Sequence, residues 1–89
     1  MIESEVQISN RLGLHARAAA RFVHLANRFS SRITVVKDGT RVDGKSILGL
    51  LTLAAARGTR LRLSADGDDE REAVEKLADL VRSRFGEED

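Results

Sequence analysis

A histidine stands directly before the most alanine-rich stretch of the chain. His15 precedes ARAAARF, which predicts a helix because it holds no glycine or proline, so the histidine falls at the N-cap or in the first turn. Ser, Thr, Asp and Asn are the usual N-caps, and a histidine there invites another explanation. The first N–H groups of a helix have no partner within it, and those of Ala16 and Arg17 would point at the ring. Such a helix end binds anions and favours a neutral imidazole, with one nucleophilic nitrogen that suits a phosphoryl group.

Basic side chains follow this histidine along one face of the predicted helix. They are spaced four, three and four residues apart with no acidic residue between them: Arg17, Arg21, His24 and Arg28. Arg17 would add a charge-assisted contact to phosphoryl oxygens, and the other three predict a docking face for a partner. Two plain alternatives stay open at this point, an exposed histidine at a loose helix end and a solvated basic face.

A second stretch, GTRVDGKS from Gly39 to Ser46, fits the phosphate-binding pattern G-x-x-x-x-G-K-[ST] of nucleotide triphosphatases. Asp38 and Gly39 predict a hairpin turn, which makes residues 40–43 a strand instead of a loop, and Asp43 would repel phosphate. Nothing in the chain predicts the parallel sheet and magnesium-binding Asp of such an enzyme. A small nucleotide-binding module is therefore the weakest of our hypotheses. On the residues alone, Ser46 is accounted for as an N-cap.

The helix predicted after Ser46 is short and strongly apolar. It carries three apolar side chains that one short helix does not readily bury together: Ile47, Leu48 and Leu51. Core packing is one interpretation of them. The functional interpretation is a small apolar docking patch between His15 and Ser46.

Composition excludes several functional classes. The 89 residues suit one small domain, 1–89, with a single core. The absence of cysteine excludes disulfides and Cys-based zinc sites, and we expect no metal and no cofactor. The longest apolar stretch is too short to span a bilayer, so we expect no membrane insertion and a cytoplasmic location. Eleven of the fifteen Lys and Arg but only two of the fourteen acidic residues lie between residues 10 and 62, which favours an acidic partner or a phosphate. Three aromatic residues and no basic run argue against nucleic acid.

Periodicity predicts seven elements that would position these residues. The strands have period two and the helices a spacing near 3.6. The predicted strands are 2–9, 31–38, 40–43 and 59–65, and the predicted helices are 14–29, 47–56 and 70–85. Gly58 is expected to stop the second helix from just past its end. The order βαββαβα predicts an α+β open-faced sandwich with three helices on one face of the sheet.

The stretch NRLGLHAR, followed by an alanine-rich helix and then by VDGKSILGLLTLAA, resembles the HPr family. These are the histidine-containing phosphocarriers of the phosphoenolpyruvate-dependent phosphotransferase system. The resemblance covers essentially the whole chain, and it implies a four-stranded antiparallel sheet under three helices. It also implies that His15 accepts a phosphoryl group through Nδ1 from phospho-enzyme I and passes it to an A-type enzyme II domain, with Arg17 supporting the group.

The resemblance further implies that Ser46 is a regulatory site for an ATP-dependent serine kinase and a matching phosphorylase. The chain would then be a monomeric carrier and not an enzyme in itself. A regulatory, nitrogen-related paralogue of the same fold is the alternative. The family usually has proline after HAR, where this chain has Ala18. Alanine keeps the helix and adds an N–H donor. We therefore expect the His15 site to differ from that of the family in its rigidity and in the angle of the helix start.

Overall fold

The computed structural model describes residues 1–88, which form one antiparallel sheet and three helices. The strands are β1 (Ile2–Gln7), β2 (Arg32–Lys37), β3 (Thr40–Asp43) and β4 (Arg60–Asp66), and the helices are α1 (Ala16–Ala26), α2 (Ile47–Thr52) and α3 (Glu70–Arg82). The sheet order is β1-β4-β2-β3, and the helices lie on one face, as predicted. The predicted α+β open-faced sandwich and the βαββαβα order are confirmed.

The core lies between the sheet and the helices, where apolar residues of both layers meet. In β4, Leu61 and Leu63 are buried while Arg60 and Arg62, which alternate with them, are exposed, as expected of a strand with one covered face. The inner faces of the helices bury Ala19, Phe22, Val23 and Ala26 from α1 and Val74, Leu77 and Val81 from α3. Each large apolar side chain buried in this way contributes about 1.5–3 kcal/mol. The packing of α1 against this core fixes the direction in which its first turn points.

The hairpin between β2 and β3 removes the loop that a nucleotide would need. Asp38 and Gly39 both have positive φ, 49° and 82°, and Lys37 pairs with Thr40 across the turn. Residues 40–43 are therefore a strand, as predicted. The Nζ of Lys45, the lysine of the nucleotide pattern, donates a hydrogen bond to the Phe29 carbonyl at 2.7 Å and so already has a partner within the protein.

The predicted first helix, 14–29, was too long at both ends. His15 has an extended backbone, with φ −82° and ψ 179°, so α1 begins at Ala16. After Ala26 the N–H groups of Arg28 and Phe29 bond to carbonyls three residues back, which tightens the chain into a turn. Arg28 consequently lies beyond the helix that was predicted to carry it.

The predicted second helix, 47–56, and the role given to Gly58 were wrong. Ala54 has φ +49°, and the Ala55 carbonyl accepts a hydrogen bond from the Leu14 N–H at 2.9 Å, so α2 stops at Thr52. Gly58 is not its cap, because it pairs instead with Ile8. That pairing with residues 58 and 59 continues the edge of the sheet after β1 ends at Gln7.

The predicted third helix, 70–85, also ends earlier, at Arg82. Arg84 and Phe85 have φ values of +60° and +55°, which reverse the chain in a short 3₁₀ turn over residues 84–86. The side chain of Phe85 is only 1% exposed, so its burial offsets the strain of the left-handed backbone. This reversal sends the C-terminal residues back toward the start of α1.

We expect the stability of the fold to depend on Asp69 in a pH-dependent way. Its carboxylate accepts hydrogen bonds from the Ser31 hydroxyl and from the N–H groups of Ser30 and Ser31, which lowers the pKa of Asp69 from 3.8 to about 2. A lowered pKa in the folded state stabilises the fold above pH 3.8, and this contribution is lost as the pH falls through about 2.

Asp69→Asn should therefore lower the melting temperature at pH 7, and the gap from the wild type should close between pH 4 and pH 2. The measurement is a pair of thermal melts across this pH range, with Asp68→Asn, an exposed neighbour, as the control. A gap that is constant with pH would contradict the assignment.

Candidate functional site

A tight turn ahead of α1 places His15. Asn10 is completely buried, and its Nδ2 donates to the Gly13 carbonyl at 2.8 Å, which closes the turn over residues 10–13. Gly13 has φ +68°, and a Cβ there would lie 2.6 Å from the Ala55 carbonyl oxygen, so only glycine fits. The sequence NRLG therefore docks the approach to α1 against the segment that follows α2.

His15 is the N-cap of α1, and both of its ring nitrogens are engaged. Nδ1 accepts a hydrogen bond from the Arg17 N–H at 3.3 Å, and Nε2 lies 2.6 Å from the Glu87 Oε2. A carboxylate can only accept, so the proton of the neutral ring is on Nε2 and the lone pair is on Nδ1. The side chain is 22% exposed, which leaves a route to it from solvent. Of the two N–H groups predicted to face the ring, those of Ala16 and Arg17, the one of Arg17 makes the hydrogen bond.

A carboxylate from the C-terminus completes the site. Oε1 of Glu87 accepts from the Asn10 Nδ2 at 2.9 Å, and Oε2 is shared by His15 and by the Arg17 guanidinium at 3.1 Å. The hydrogen bond from Asn10, followed by those from His15 and Arg17, lowers the pKa of Glu87 from 4.5 to about 2. Glu87 is therefore ionised at neutral pH and balances the charge of Arg17.

The basic side chains predicted for a docking face are all exposed. Their surroundings differ. The Arg17 side chain is 60% exposed and rests on Glu87, while Arg21 donates to the Phe85 carbonyl at 2.6 Å. Arg21 thus holds the C-terminal turn as well as facing outward. His24 lies in the last turn of α1, and Arg28 lies beyond it.

Ser46 is the N-cap of α2, as predicted. Its hydroxyl oxygen accepts a hydrogen bond from the Gly49 N–H at 2.9 Å. A Cβ at Gly49 would lie 3.2 Å from that oxygen, so the glycine keeps the cap uncrowded. α2 packs against α1. The bond from the Lys45 Nζ to the Phe29 carbonyl places the Ser46 end of α2 beside the C-terminal end of α1, whereas the bond from the Leu14 N–H to the Ala55 carbonyl places the segment after α2 beside His15.

Apolar side chains are exposed beside these polar groups. Ile47 is 40% exposed and Leu48 is 77% exposed, whereas Leu51 is half-buried and packs against the core. Leu12, which the sequence argument did not select, is 51% exposed in the turn before His15. A hollow of about 450 Å³ next to the site has Leu12, Arg17 and Arg21 among its lining residues. The exposed apolar residues next to Ser46 and His15 are thus Ile47, Leu48 and Leu12, with Leu51 only partly exposed.

Ala18, the residue found where proline was expected, is the third residue of α1 and is completely buried. Its N–H is one of the helix-start groups that have no intrahelical acceptor. The first i to i−4 bond of α1 is made by Ala19 to the His15 carbonyl at 2.8 Å. Alanine therefore leaves the capping hydrogen bonds of His15 in place.

Three residues of the site were missed by sequence reasoning: Asn10, Leu12 and Glu87. Asn10 looked like an ordinary turn residue, and Glu87 belongs to a charged C-terminus without periodicity. The NRLG turn was a signal for Asn10 and Leu12, but no local signal pointed to Glu87 because its partners are 70 or more residues away.

The geometry suits a nucleophilic imidazole that takes an anionic group at a helix N-terminus. Nδ1 carries the lone pair, the Arg17 N–H lies beside it, and a guanidinium is within reach. Among residues 1–88 there is no cluster of three or more His, Asp or Glu side chains that could hold a metal ion. Within the same residues, none of the helices has the length and apolar character needed to cross a membrane.

Comparison with known proteins agrees with this geometry. Residues 2–83 match the family model described as the PTS HPr component phosphorylation site. The chain is 49% identical over 87 residues to the phosphocarrier protein HPr of Neisseria meningitidis serogroup A, covering 98% of each chain. It superposes on HPr-C-His from Thermoanaerobacter tengcongensis with a TM-score of 0.95, 51% identity and 99% coverage of each chain. An HPr dimer from the same organism matches with a TM-score of 0.78 and 50% identity, covering 98% of this chain and all of the other.

Proposed function

Since the chain belongs to the HPr family, the phosphocarriers of the phosphoenolpyruvate-dependent phosphotransferase system, we propose that it carries the phosphoryl group on Nδ1 of His15. The observation that supports this assignment is the pair of hydrogen bonds on the ring. With the proton on Nε2 and the lone pair on Nδ1, one nitrogen is ready to attack phosphorus.

The donor in this proposal is phospho-enzyme I and the acceptor is an A-type enzyme II domain. Nδ1 attacks phosphorus, and the bond to the donor breaks with its electron pair returning to the donor. Once the lone pair is used, the Arg17 N–H faces a phosphoryl oxygen, and the guanidinium can move there from Glu87. In this proposal the exposed residues Leu12, Ile47, Leu48 and Arg28 form the docking face for both partners, which extends from the turn before His15 to the start of α2 and the turn after α1.

The test of this function is incubation with phosphoenolpyruvate and enzyme I, followed by mass spectrometry of the protein and its peptides. We expect one acid-labile phosphoryl group, located on the peptide that contains His15. Addition of an A-type enzyme II domain should then remove it. An acid-stable group, or a group on another peptide, would contradict the proposal.

The remaining features of the proposal follow from this role. As one domain, the protein acts as a carrier and not as an enzyme, because its phosphohistidine is made and consumed by its partners. We place it in the cytoplasm, consistent with a chain that has no cysteine. We also expect a monomer, because the same exposed face must meet two partners in turn. Sedimentation at the concentration used for transfer measures the oligomeric state, and a stable dimer that hides His15 would contradict it.

Ser46 is proposed as a regulatory phosphorylation site for a serine kinase. A phosphate there would add about −1.5 to −2 charges beside the exposed Ile47 and Leu48. An enzyme I surface attracted by the basic residues of α1 would be repelled by that charge.

Ser46→Asp should therefore slow enzyme I-dependent phosphorylation of His15 by about tenfold, equivalent to about 1.4 kcal/mol in the barrier. The fold should be unaffected or slightly stabilised, by about 0.3–1 kcal/mol at most, because Asp also caps a helix N-terminus. The measurement combines a thermal melt with the initial rate of phosphorylation.

Ser46→Ala is the matched control for this change. It should lose the hydrogen bond from the Gly49 N–H and about 1 kcal/mol of stability. Its His15 should still be phosphorylated by enzyme I at the wild-type rate. Equal rates in the Ser46→Asp and wild-type proteins would remove the regulatory proposal. A slow Ser46→Ala protein would show that the cap itself, and not the charge, governs transfer.

A further inference from the structure

The C-terminal segment is built to deliver one carboxylate to His15. After α3, the chain reverses at Arg84 and Phe85, and the buried Phe85 ring anchors the reversal. Arg21 of α1 holds the Phe85 carbonyl at 2.6 Å, and the Glu87 N–H bonds to the Arg84 carbonyl at 2.9 Å. These contacts place Glu87, but not its exposed neighbour Glu88, against the start of α1.

The carboxylate of Glu87 is itself held on both oxygens. Oε1 is fixed by Asn10, a fully buried side chain whose Nδ2 also holds the Gly13 carbonyl. Oε2 then meets the His15 Nε2 at 2.6 Å, and the Glu87 side chain is only 12% exposed. Of the two contacts on the imidazole, this one is shorter than the 3.3 Å bond from the Arg17 N–H and carries a full charge.

We propose that Glu87 is a positioning residue for phosphoryl transfer: it holds the His15 ring with the proton on Nε2, so that Nδ1 keeps the lone pair that the phosphoryl group takes. The proposal rests on the assignment of His15 as the phosphoryl carrier. Carboxylates that hydrogen-bond the far nitrogen of a functional imidazole fix its tautomer and orientation in this way.

The position of Glu87 also balances the charge of the reaction. When Nδ1 forms its bond to phosphorus, the ring gains positive charge while Nε2 keeps its proton. The carboxylate at Nε2 offsets that charge from the edge of the ring opposite to the phosphoryl group. When the group leaves for the acceptor, the electron pair of the N–P bond returns to Nδ1. The ring therefore begins and ends the cycle with its proton on Nε2, and no base has to remove a proton.

The first measurement is NMR of the ¹⁵N-labelled full chain at neutral pH and low temperature, in the wild type, Glu87→Ala and Glu88→Gln. The N–H proton of an exposed imidazole exchanges rapidly with water, whereas a held one gives a downfield resonance coupled to its nitrogen. We expect this resonance on Nε2 of His15 in the wild type and Glu88→Gln, and its loss in Glu87→Ala. Backbone spectra confirm that each variant is folded. Persistence of the resonance in Glu87→Ala, or its absence in the wild type, would overturn the proposal.

The second measurement is the rate of His15 phosphorylation at saturating phospho-enzyme I. Glu87→Ala should be about tenfold slower, the lower end of the loss typical for carboxylates that orient metal-binding imidazoles, with the half-saturating donor concentration unchanged. Glu88→Gln removes one charge from the neighbouring residue and should transfer at the wild-type rate. A faster Glu87→Ala protein would show that the carboxylate withholds Arg17 from the phosphoryl group, and it would overturn the inference.

The two proposals fail in different ways. If the wild type takes no phosphoryl group on His15, the proposed function falls and this inference falls with it. If the wild type transfers normally while Glu87→Ala matches it in rate, only the role of Glu87 is rejected.

Discussion

His15→Ala should remain folded and should neither accept nor pass on a phosphoryl group. The side chain lies at the surface end of α1 and is not part of the core, so its removal costs the N-cap contact and the bond to Glu87. Replacing an N-cap by alanine costs about 0.5–2 kcal/mol, and the long 3.3 Å cap bond here favours the lower end. The loss of transfer is complete because no other nitrogen occupies the position of Nδ1 beside the helix start.

The matched control is His24→Ala. His24 is exposed on the helix that His15 caps, about two and a half turns further on, and is the only other histidine of the sequence. The His24→Ala protein should still be phosphorylated at His15, and at saturating enzyme I its rate should stay near that of the wild type, because a docking residue changes the concentration needed for saturation. The experiment measures the intact mass after incubation with phosphoenolpyruvate and enzyme I, with thermal melts to show that both variants are folded. Phosphate on His24, or residual transfer by the His15→Ala protein, would refute the assignment.

The elements of the fold were predictable because local periodicity determines them. Alternation in TRLRLSA and the spacing of Val74, Leu77 and Val81 each leave one apolar face, and such faces are stable only when they meet. The Asp38-Gly39 hairpin was equally local, since two residues with positive φ define the turn. The same turn, together with Asp43 and the lack of a predicted parallel sheet, made the nucleotide-binding module the weakest hypothesis.

The helix ends were predicted less well because contacts from elsewhere in the chain decide them. Residues 54–56 are alanines, which favour a helix by propensity alone. Nevertheless α2 ends at Thr52, since the Ala55 carbonyl bonds to Leu14 in the turn that positions His15. Tertiary hydrogen bonding thus overrode local propensity, and it did so where the site is assembled.

In the candidate site, too, the features set by neighbouring residues could be predicted, whereas those set by distant contacts could not. The cap position of His15 could be predicted from a run of alanines, because it depends on neighbours in the sequence. The contact between His15 and Glu87 joins residues 72 positions apart and depends on the reversal at Phe85. No local sequence pattern predicted the positive φ of Phe85. Acidic residues at a chain end normally suggest a solvated segment, so composition pointed away from this contact.

Arg17→Ala should slow phosphoryl transfer at saturating partner by about a hundredfold. A preorganised donor aimed at developing charge is typically worth about 10²–10³-fold in rate. The substitution keeps the backbone N–H that faces Nδ1, so it isolates the guanidinium from the helix start. Arg17→Lys should recover part of the rate, because it restores the charge without the planar pair of donors.

Arg28→Ala is the control for charge alone. Arg28 lies beyond α1 and is exposed, so its loss should weaken partner binding, most strongly at low salt, while the saturated rate stays near that of the wild type. Arg21 is a poorer control because it also holds the Phe85 carbonyl, and Arg21→Ala would disturb Glu87 as well as docking.

The measurement is a rate against enzyme I concentration for each variant, at two ionic strengths. The guanidinium of Arg17 is shared with Glu87 in the resting protein, so its contact with the phosphoryl group must form as that group arrives. An interaction made mainly in the transition state lowers the saturated rate when it is removed, whereas a docking charge changes the concentration needed for saturation. Arg17 would belong to the docking face, and not to the transfer step, if Arg17→Ala and Arg28→Ala both kept the saturated rate and raised the half-saturating enzyme I concentration to the same extent.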